Sequence, residues 1–328
     1  MAAILLMEVR GLLKALSTIV VTAIALMAPA GFVAAERAVE TVKGSVAVPE
    51  APERILVLNP ALAGSVYALG LDVLAVTQST RAPTEEGFSS VWAQEARASG
   101  TEVLPWDFEG FNMELILSFQ PDLIIAGGQG RPGFLANEAY ERLSAIAPTI
   151  FVDTAPTAWQ DELRFMAGAL GREAEAEAAL ASYAARVEEV KAAITLPPQP
   201  TVFMMTIDPD GQPYFLPETS ATPQLFADVG FEVYPLTQRF PEFEAASTGD
   251  SVQVSLELAS QVFTAPTMIV VPWTAGVVSL DDLQQDEVLG RLPAIAEGHA
   301  YEFADYAYRF DYYGAMAVLD DIEATFAE

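Results

Sequence analysis

The chain has 328 residues, of which 45 are acidic, 16 are basic and one is a histidine, and it contains no cysteine. These counts exclude disulfides, thiolate metal sites and cysteine nucleophiles. A net charge of −29 with so few cations also excludes the basic stripe that nucleic-acid binding needs. With 52% hydrophobic residues, the chain can form one large or two medium folded domains.

The N-terminus is typical of a secretory signal peptide. Arg10 and Lys14 precede an uncharged run over 15–28, and the small residues of 33–35 form a cleavage site. We therefore expect residues 1–35 to be removed; an uncleaved membrane anchor is the alternative. They carry one acidic and two basic side chains, so cleavage takes the formal charge from −29 to −30. Because no cysteine follows the apolar run, we expect a free periplasmic protein and no lipoprotein.

Short apolar runs alternate with helical segments along the mature chain. The runs are continuous, as in strands buried on both faces of a mainly parallel sheet, and the alternation indicates an α/β fold. Gly44 separates two segments, 39–43 and 45–48, that predict a hairpin. The predicted strands are 54–58, 73–77, 123–126, 149–152, 201–207, 231–234, 268–271 and 300–303, and the predicted helices include 64–69, 113–119, 137–146, 223–229 and 313–326.

The middle of the chain, residues 158–194, is one helical segment interrupted at Gly171. Its second half predicts a helix of about 33 Å that ends before a proline-rich segment, 196–200. A strand–helix block lies on each side. We therefore predict two α/β lobes, each with a mainly parallel sheet, joined by one long α-helix; a single domain with a long interior helix is the alternative. The predicted segments are a signal peptide (1–35), an N-terminal lobe (36–157), a helical linker (158–196) and a C-terminal lobe (197–328).

A weak internal repeat relates the two blocks. Asn112-Met113-Glu114-Leu115 before Pro121 resembles Ser255-Leu256-Glu257-Leu258 before Pro266, and in each an N-cap residue opens a helix. Together with residues 54–58, 68–73, 120–125, 158–172 and 292–301, these segments are similar to periplasmic binding proteins for ferric siderophores, haem and cobalamin, which feed ABC importers. The resemblance implies two lobes bridged by a long helix, with slight closure around the ligand.

The resemblance also implies a role for two glutamates. In this family one exposed glutamate on each lobe docks into arginines of the membrane permease, and Glu114 and Glu257 occupy the matching positions. The alternative is that each glutamate only favours its helix through the helix dipole. We expect the partner to be an ABC permease dimer at the inner membrane, and the binding protein itself to be a monomer.

Residues just after the predicted strands are candidates for ligand binding, because open α/β sheets bind ligands beyond the carboxyl ends of their strands. Arginine donors suit carboxylate or hydroxamate oxygens, and aromatic faces cover the apolar parts of a chelate. Surface ion pairing and core packing are the alternatives. By resemblance, the family often has an aromatic residue at the Trp273 position. The predicted ligand-binding residues are Arg81, Trp106, Gln129, Arg131, Arg239, Trp273, Tyr306, Tyr308 and Arg309.

Other conspicuous residues receive structural interpretations. We expect Trp92 and Trp159 to pack in the core, and the glycines at 127, 128 and 130 to leave room for a bulky ligand near the backbone. His299 is the lone histidine, so a metal site built from imidazoles is not expected, and iron must arrive already chelated.

The preferred hypothesis is a binding protein that captures a ferric siderophore and delivers it to the permease, with no reaction and no cofactor. Transport of haem or cobalamin by the same fold stays open. Two other classes remain: a periplasmic hydrolase using carboxylates such as Asp305 and Asp311, and a bilobed sensory or structural module.

Overall fold

The structure is a computed structural model that describes residues 35–106, 109–154, 158–206, 212–246, 251–274 and 276–327, with the backbone alone over 244–246. The predicted signal peptide lies outside these residues, apart from Ala35, and so does the predicted lobe boundary at 157. From Glu36 onward the chain forms one compact unit.

The first lobe contains a hairpin and a five-stranded sheet. Strands β1 (Glu36–Thr41) and β2 (Gly44–Pro49) pair antiparallel and confirm the predicted hairpin, with Gly44 at a φ of 104°. The sheet is parallel throughout, and its strand order is β5-β4-β3-β6-β7. Its strands are β3 (Ile55–Val57), β4 (Ala75–Thr77), β5 (Glu102–Leu104), β6 (Leu123–Gly127) and β7 (Thr149–Val152). Because the order reverses between β3 and β6, a crevice opens at their carboxyl ends.

The second lobe contains a mixed five-stranded sheet in the order β10-β9-β8-β11-β12. Three strands, β8 (Thr201–Thr206), β11 (Thr267–Pro272) and β12 (Ala300–Glu302), are parallel. The short strands β9 (Tyr214–Phe215) and β10 (Val252–Gln253) are antiparallel.

One predicted strand of the second lobe is wrong. The segment 231–234 contributes a single bridge, from Val233 to Thr201. The segment is apolar because it contributes to the core, where the Phe231 ring packs against Phe226 and Phe326.

The helices lie on both faces of the sheets and between the lobes. None of those described is long and apolar enough to cross a membrane. They are α1 (Pro60–Ala68), α2 (Ala93–Ser99), α3 (Met113–Ser118), α4 (Gly130–Ser144), α5 (Trp159–Leu170), α6 (Glu173–Ala193), α7 (Ala221–Asp228), α8 (Leu236–Arg239), α9 (Pro241–Ala246), α10 (Leu256–Val262), α11 (Leu280–Gln285), α12 (Pro293–Ala296) and α13 (Tyr312–Phe326).

The long helix α6 confirms the predicted connection between the lobes. Its 21 residues span about 31 Å, and one face is buried at Ala176, Ala179, Tyr183, Val187 and Val190. That three-and-four spacing places all five side chains on one side of the helix. The helix is tied to α13 by ion pairs of Arg186 with Asp320, at 2.7 Å, and with Glu323.

The strands are buried on both faces, which explains their continuous apolar runs. Val57 and Ile125 face a large core that also contains Val187 of α6 and Phe203 and Ile269 of the second sheet. Alternate residues of the same strands face smaller outer clusters. Because the large core is continuous from one sheet to the other, apolar packing holds the lobes together.

Candidate functional site

A cavity of about 100 Å³ lies where the lobes meet, beyond the carboxyl ends of strands from both sheets. Its wall follows β3, β4, β5 and β6 in the first lobe and β11 and β12 in the second. The lining residues are Asn59, Pro60, Ala61, Ser79, Thr80, Arg81, Ser89, Val91, Trp92, Trp106, Gln129, Gly130, Arg131, Pro132, Trp273, Tyr306, Arg309, Phe310, Asp311 and Gly314.

The fold gathers seven of the nine predicted ligand-binding residues at this cavity. Parallel strands end at the same edge of a sheet, so the loops that follow them come together. The seven are Arg81, Trp106, Gln129, Arg131, Trp273, Tyr306 and Arg309.

The other two predicted residues lie elsewhere. Tyr308 is only 4% exposed and lies beneath the cavity wall, where its ring contacts two arginines. Arg239 is exposed at the end of α8. Its guanidinium carbon lies 5.0 Å from the centre of the Tyr234 ring.

Two of the arginines at the cavity contact the same buried ring. The Cζ atom of Arg81 lies 5.2 Å from the centre of the Tyr308 ring, and that of Arg309 lies 4.7 Å from it. Arg309 Nη2 also donates to the Tyr308 hydroxyl at 3.2 Å. These contacts are within cation–π range, so the Tyr308 ring helps to hold both guanidinium groups in position.

The third arginine stands at the start of α4. Arg131 is in the first turn of this 15-residue helix, and its Cζ lies 5.4 Å from the ring of Phe134. The turn lines the cavity from Gln129 to Pro132. Because a helix N-terminus carries partial positive charge, it adds to the potential of the three guanidinium groups.

The loop 79–82 of the first lobe is hydrogen-bonded to the second lobe beside the cavity. The bonds run from Arg81 Nε to the Trp273 carbonyl (3.3 Å), from Thr274 Oγ1 to the Thr80 carbonyl (2.8 Å) and from the Ala82 amide to Asp305 Oδ2 (2.9 Å). These bonds bring Arg81 against the wall formed by the opposite lobe.

The tryptophans separate into two groups. Trp106 and Trp273 are half-buried and border the cavity, one from each lobe. Trp92 and Trp159 are buried, as expected of packing residues, although Trp92 also contributes to the cavity wall. The Trp159 ring meets Tyr183 of the long helix edge-on at 5.0 Å.

The glycines at the end of β6 and in the loop after it lie close to other protein atoms. A Cβ at Gly127 would lie 2.1 Å from the Val152 carbonyl oxygen, and one at Gly130 would lie 2.9 Å from Arg309 Nη1. The space beside Gly127 is filled by protein atoms, whereas Gly130 lies beside the Arg309 side chain and lines the cavity. They let the loop pack on β7 and let Arg309 approach the start of α4.

Asn59 is a site residue that the sequence reasoning missed. It follows β3 and caps α1, where its Oδ1 accepts from the Ala61 amide. Its Nδ2 donates to the carbonyls of Gly127 and Gln129, at 2.8 and 3.1 Å. The sequence feature that could have identified it is an N-cap asparagine before Pro60 at the end of a buried strand. Through its hydrogen bonds, Asn59 fixes the loop that carries Gln129.

Tyr306 borders the cavity with its hydroxyl turned away from it. The hydroxyl donates to Asp321 of α13 at 2.5 Å. Burial, together with this bond, raises the pKa of Tyr306, so the neutral phenol is retained.

Two acids, the buried Asp311 and the half-buried Glu162, lie between this cavity and a second one. Asp311 caps α13, accepts from the Gly314 amide at 3.0 Å and packs so closely on Gly64 that a Cβ there would lie 1.8 Å from its Oδ2. Glu162 of α5 accepts from Ser65 Oγ at 3.3 Å. Burial raises the pKa of Glu162 to about 8, with a contribution from the charge of Asp311, and raises that of Asp311 to about 6.

The second cavity, of about 390 Å³, lies beside the long helix. It shares Ala61, Gln129, Arg309 and Phe310 with the first cavity. Its wall carries ions of both signs, including the Asp161–Arg164 pair at 3.1 Å.

The two predicted docking glutamates are exposed, one on each lobe. Glu114 is in the first turn of α3, where Asn112 caps the helix by accepting from the Leu115 amide at 3.0 Å. Glu257 is in the first turn of α10, with Ser255 at the N-cap position.

The histidine stands apart from the cavity. His299 precedes β12, at the amino end of the strand, and its Nδ1 is buried with no hydrogen-bond partner among the described residues. Within the part of the chain that the structure covers, no group of three or more His, Asp or Glu side chains is placed to hold a metal ion.

Comparisons with known proteins agree with this architecture. FepB, the ferric enterobactin-binding periplasmic protein of Escherichia coli O6:H1, is 27% identical over 290 residues, which are 87% of this chain and 89% of FepB. YhfQ of Bacillus subtilis, a putative ABC transporter substrate-binding lipoprotein, is 26% identical and covers 85% of both chains. The crystal structure of holo-ViuP has the same fold, with a TM-score of 0.75 at 24% identity over 89% of this chain and 95% of that one.

The family profile for periplasmic binding proteins matches residues 55–307. That range contains both sheets, the long helix and every predicted ligand-binding residue except Tyr308 and Arg309, which follow its last position. The chain therefore belongs to the periplasmic binding protein family.

Proposed function

We propose that this protein captures an anionic ferric siderophore between its lobes in the periplasm and delivers it to an ABC permease, without catalysing a reaction. The observation that supports this most is the convergence of Arg81, Arg131 and Arg309 on one cavity at the lobe junction.

The charge of the cavity favours an anionic chelate. Among the described lining residues, three guanidinium groups and the start of α4 face one carboxylate, Asp311, which is already bonded to the Gly314 amide. Guanidinium groups bind carboxylate and catecholate oxygens through charge-assisted hydrogen bonds. A ferric catecholate or carboxylate chelate therefore gains more from this site than a neutral ferric hydroxamate.

The aromatic residues suit the organic part of such a chelate. Trp106 and Trp273 face the cavity from opposite lobes, and flat rings of a ligand pack favourably on indole faces. This arrangement supports a ligand with aromatic or other apolar groups around an anionic centre.

The relatives support the same class and the same route. FepB is named for ferric enterobactin, and YhfQ for ABC transport. This chain has no cysteine to carry a lipid, so we propose a free periplasmic monomer in place of a lipoprotein.

Tryptophan fluorescence titration tests the proposal. A ferric tris-catecholate or ferric citrate should quench the tryptophan fluorescence of the mature protein saturably. A neutral ferric hydroxamate or the iron-free siderophores should quench it much less. Saturable binding of haem or cobalamin alone would favour those alternatives. No response to any iron chelate would overturn the proposed function.

A further inference from the structure

We propose that Tyr308 is a positioning residue that holds Arg81 and Arg309 in place for ligand binding and does not contact the ligand itself. The inference rests on the proposed function, because it concerns the same cavity.

The two cations reach Tyr308 from different lobes. Arg81 belongs to the loop after β4 in the first lobe, and its Nε donates to the Trp273 carbonyl of the second lobe at 3.3 Å. Arg309 belongs to the second lobe and approaches Gly130 of the first, where a Cβ would lie 2.9 Å from its Nη1. The ring therefore lies where the arginines of both lobes converge.

The ring itself is firmly held. Tyr308 is 4% exposed, and its backbone amide donates to the Asp305 carbonyl at 3.4 Å. At the other end, its hydroxyl donates to Ser251 Oγ at 3.3 Å and accepts from Arg309 Nη2 at 3.2 Å. A buried ring fixed at both ends forms a rigid surface against which long side chains can be ordered.

The aromatic face offsets the repulsion between the two cations. Their Cζ atoms lie 5.2 Å and 4.7 Å from the ring centre, and the electron-rich face of an aromatic ring attracts a cation at such distances. Without that attraction, like charges would move apart or turn toward Asp311, the carboxylate among the described lining residues. A site whose cations are already in place loses less conformational entropy when the ligand binds.

Fluorination of the ring tests this directly, because it weakens the quadrupole and keeps the shape. Tyr308→Phe removes only the hydroxyl and should change the dissociation constant of a ferric tris-catecholate by less than about threefold. Stepwise fluorination of phenylalanine at position 308, up to the pentafluoro form, should then weaken binding progressively, by about tenfold in total.

The matched control is the same pentafluoro side chain at Phe303, which has the same 4% exposure and packs against Phe226. It should leave the dissociation constant unchanged. In an Arg81→Gln, Arg309→Gln background, fluorination at position 308 should have no further effect, since the ring would no longer have its two cations to hold.

The outcomes separate the two proposals. A wild-type protein that binds no ferric chelate overturns the proposed function. If the wild type binds and fluorination at 308 leaves affinity unchanged, or weakens it equally in the arginine-free background, then Tyr308 is not a positioning residue. The Nε–H proton resonances of Arg81 and Arg309 test the contacts without ligand. In the wild type, the Tyr308 ring current should shift both resonances upfield, and Tyr308→Leu should remove this shift. Resonances that are the same in the wild type and in Tyr308→Leu would contradict the inference.

Discussion

At the scale of single residues, the arginines differ in the contacts that they make with other described residues. Arg97 pairs with Glu86 at 3.1 Å, and both side chains are about half exposed. Arg81 and Arg309, by contrast, stack on a buried ring at the edge of the cavity. Exposed pairs contribute little free energy, so the stacked arginines are the ones whose loss should alter ligand binding.

Replacing a cavity arginine should weaken binding of an anionic chelate. Arg131→Gln or Arg309→Gln removes a charge-assisted donor and should raise the dissociation constant about ten- to hundredfold, measured by fluorescence titration. Arg239→Gln is the control, since Arg239 stacks on Tyr234 away from the lining. Equal losses in Arg239→Gln and the cavity variants would argue against a specific site.

A second residue-scale prediction compares two helical glycines. Gly64→Ala would place a Cβ 1.8 Å from Asp311 Oδ2, whereas Gly168→Ala meets nothing within 4 Å. We expect Gly64→Ala to lower the free energy of unfolding by about 1–3 kcal/mol through overpacking. Gly168→Ala should raise it by roughly 0.5–1 kcal/mol through helix propensity. Chemical denaturation measures both, and a stable Gly64→Ala protein would contradict the packing of Asp311.

At the scale of elements, two acids lie at the junction of α1, α5 and α13: Asp311, which is buried, and Glu162, which is half-buried. Glu162 and Asp311 have raised pKa values of about 8 and about 6. A carboxyl whose pKa is raised on folding binds more protons in the folded state, so its contribution to stability is fully present below the unfolded pKa and is lost as the pH rises through the folded one.

We therefore expect the free energy of unfolding to fall between about pH 4.5 and pH 8, and Glu162→Gln to reduce that slope. At pH 8.5, Glu162→Gln should increase the free energy of unfolding by roughly 1–2 kcal/mol. This is less than the full pKa shift of Glu162 implies, because the side chain borders a cavity that water can enter. Asp161→Asn on the same helix, at an exposed ion pair, is the control. An unchanged slope in Glu162→Gln would rule out this assignment.

The elements show which patterns are readable and which are not. The strands Thr149–Val152 and Thr201–Thr206 are buried on both faces and stand out as continuous apolar runs. The two-residue strands β9 and β10 carry no periodicity and were missed. Helix α4 begins at Gly130, seven residues before the predicted start. The prediction began late because Gly130 and Pro132 are residues typical of a loop. Proline is tolerated in a first helical turn, whose amides have no intrahelical partner.

At the scale of the whole molecule, the cavity gathers three arginines in a strongly acidic protein. The chain carries a formal charge of −29, and the three cavity arginines are drawn from both lobes. Local potential at a cleft governs attraction of a charged ligand more than net charge does. Glu114 and Glu257, the predicted docking residues, are exposed on opposite lobes.

Charge reversal at the two glutamates should abolish delivery without changing capture. We expect Glu114→Lys combined with Glu257→Lys to prevent uptake in proteoliposomes that contain the permease, because like charges would repel its arginines. The dissociation constant for the ligand should stay at the wild-type value. Glu138→Lys with Glu297→Lys, an equal charge change at exposed positions on the same two lobes, should preserve uptake. Lost ligand binding in the first pair would contradict a docking role.

The sequence by itself determined the α/β alternation, the hairpin around Gly44, the long helix and the loops that carry Arg81, Arg131 and Arg309. Each of these features depends on local periodicity or on residues next to strand ends, which can be recognised from neighbouring positions in the chain. Only the tertiary structure decided that Tyr308 lies beneath the cavity, that Arg239 lies away from it and that the glycines after β6 accommodate protein atoms. Those outcomes depend on contacts between segments far apart in the chain, such as Arg81 with Tyr308 and Gly64 with Asp311. Such contacts leave no local pattern, since they arise only when both lobes pack on a common core.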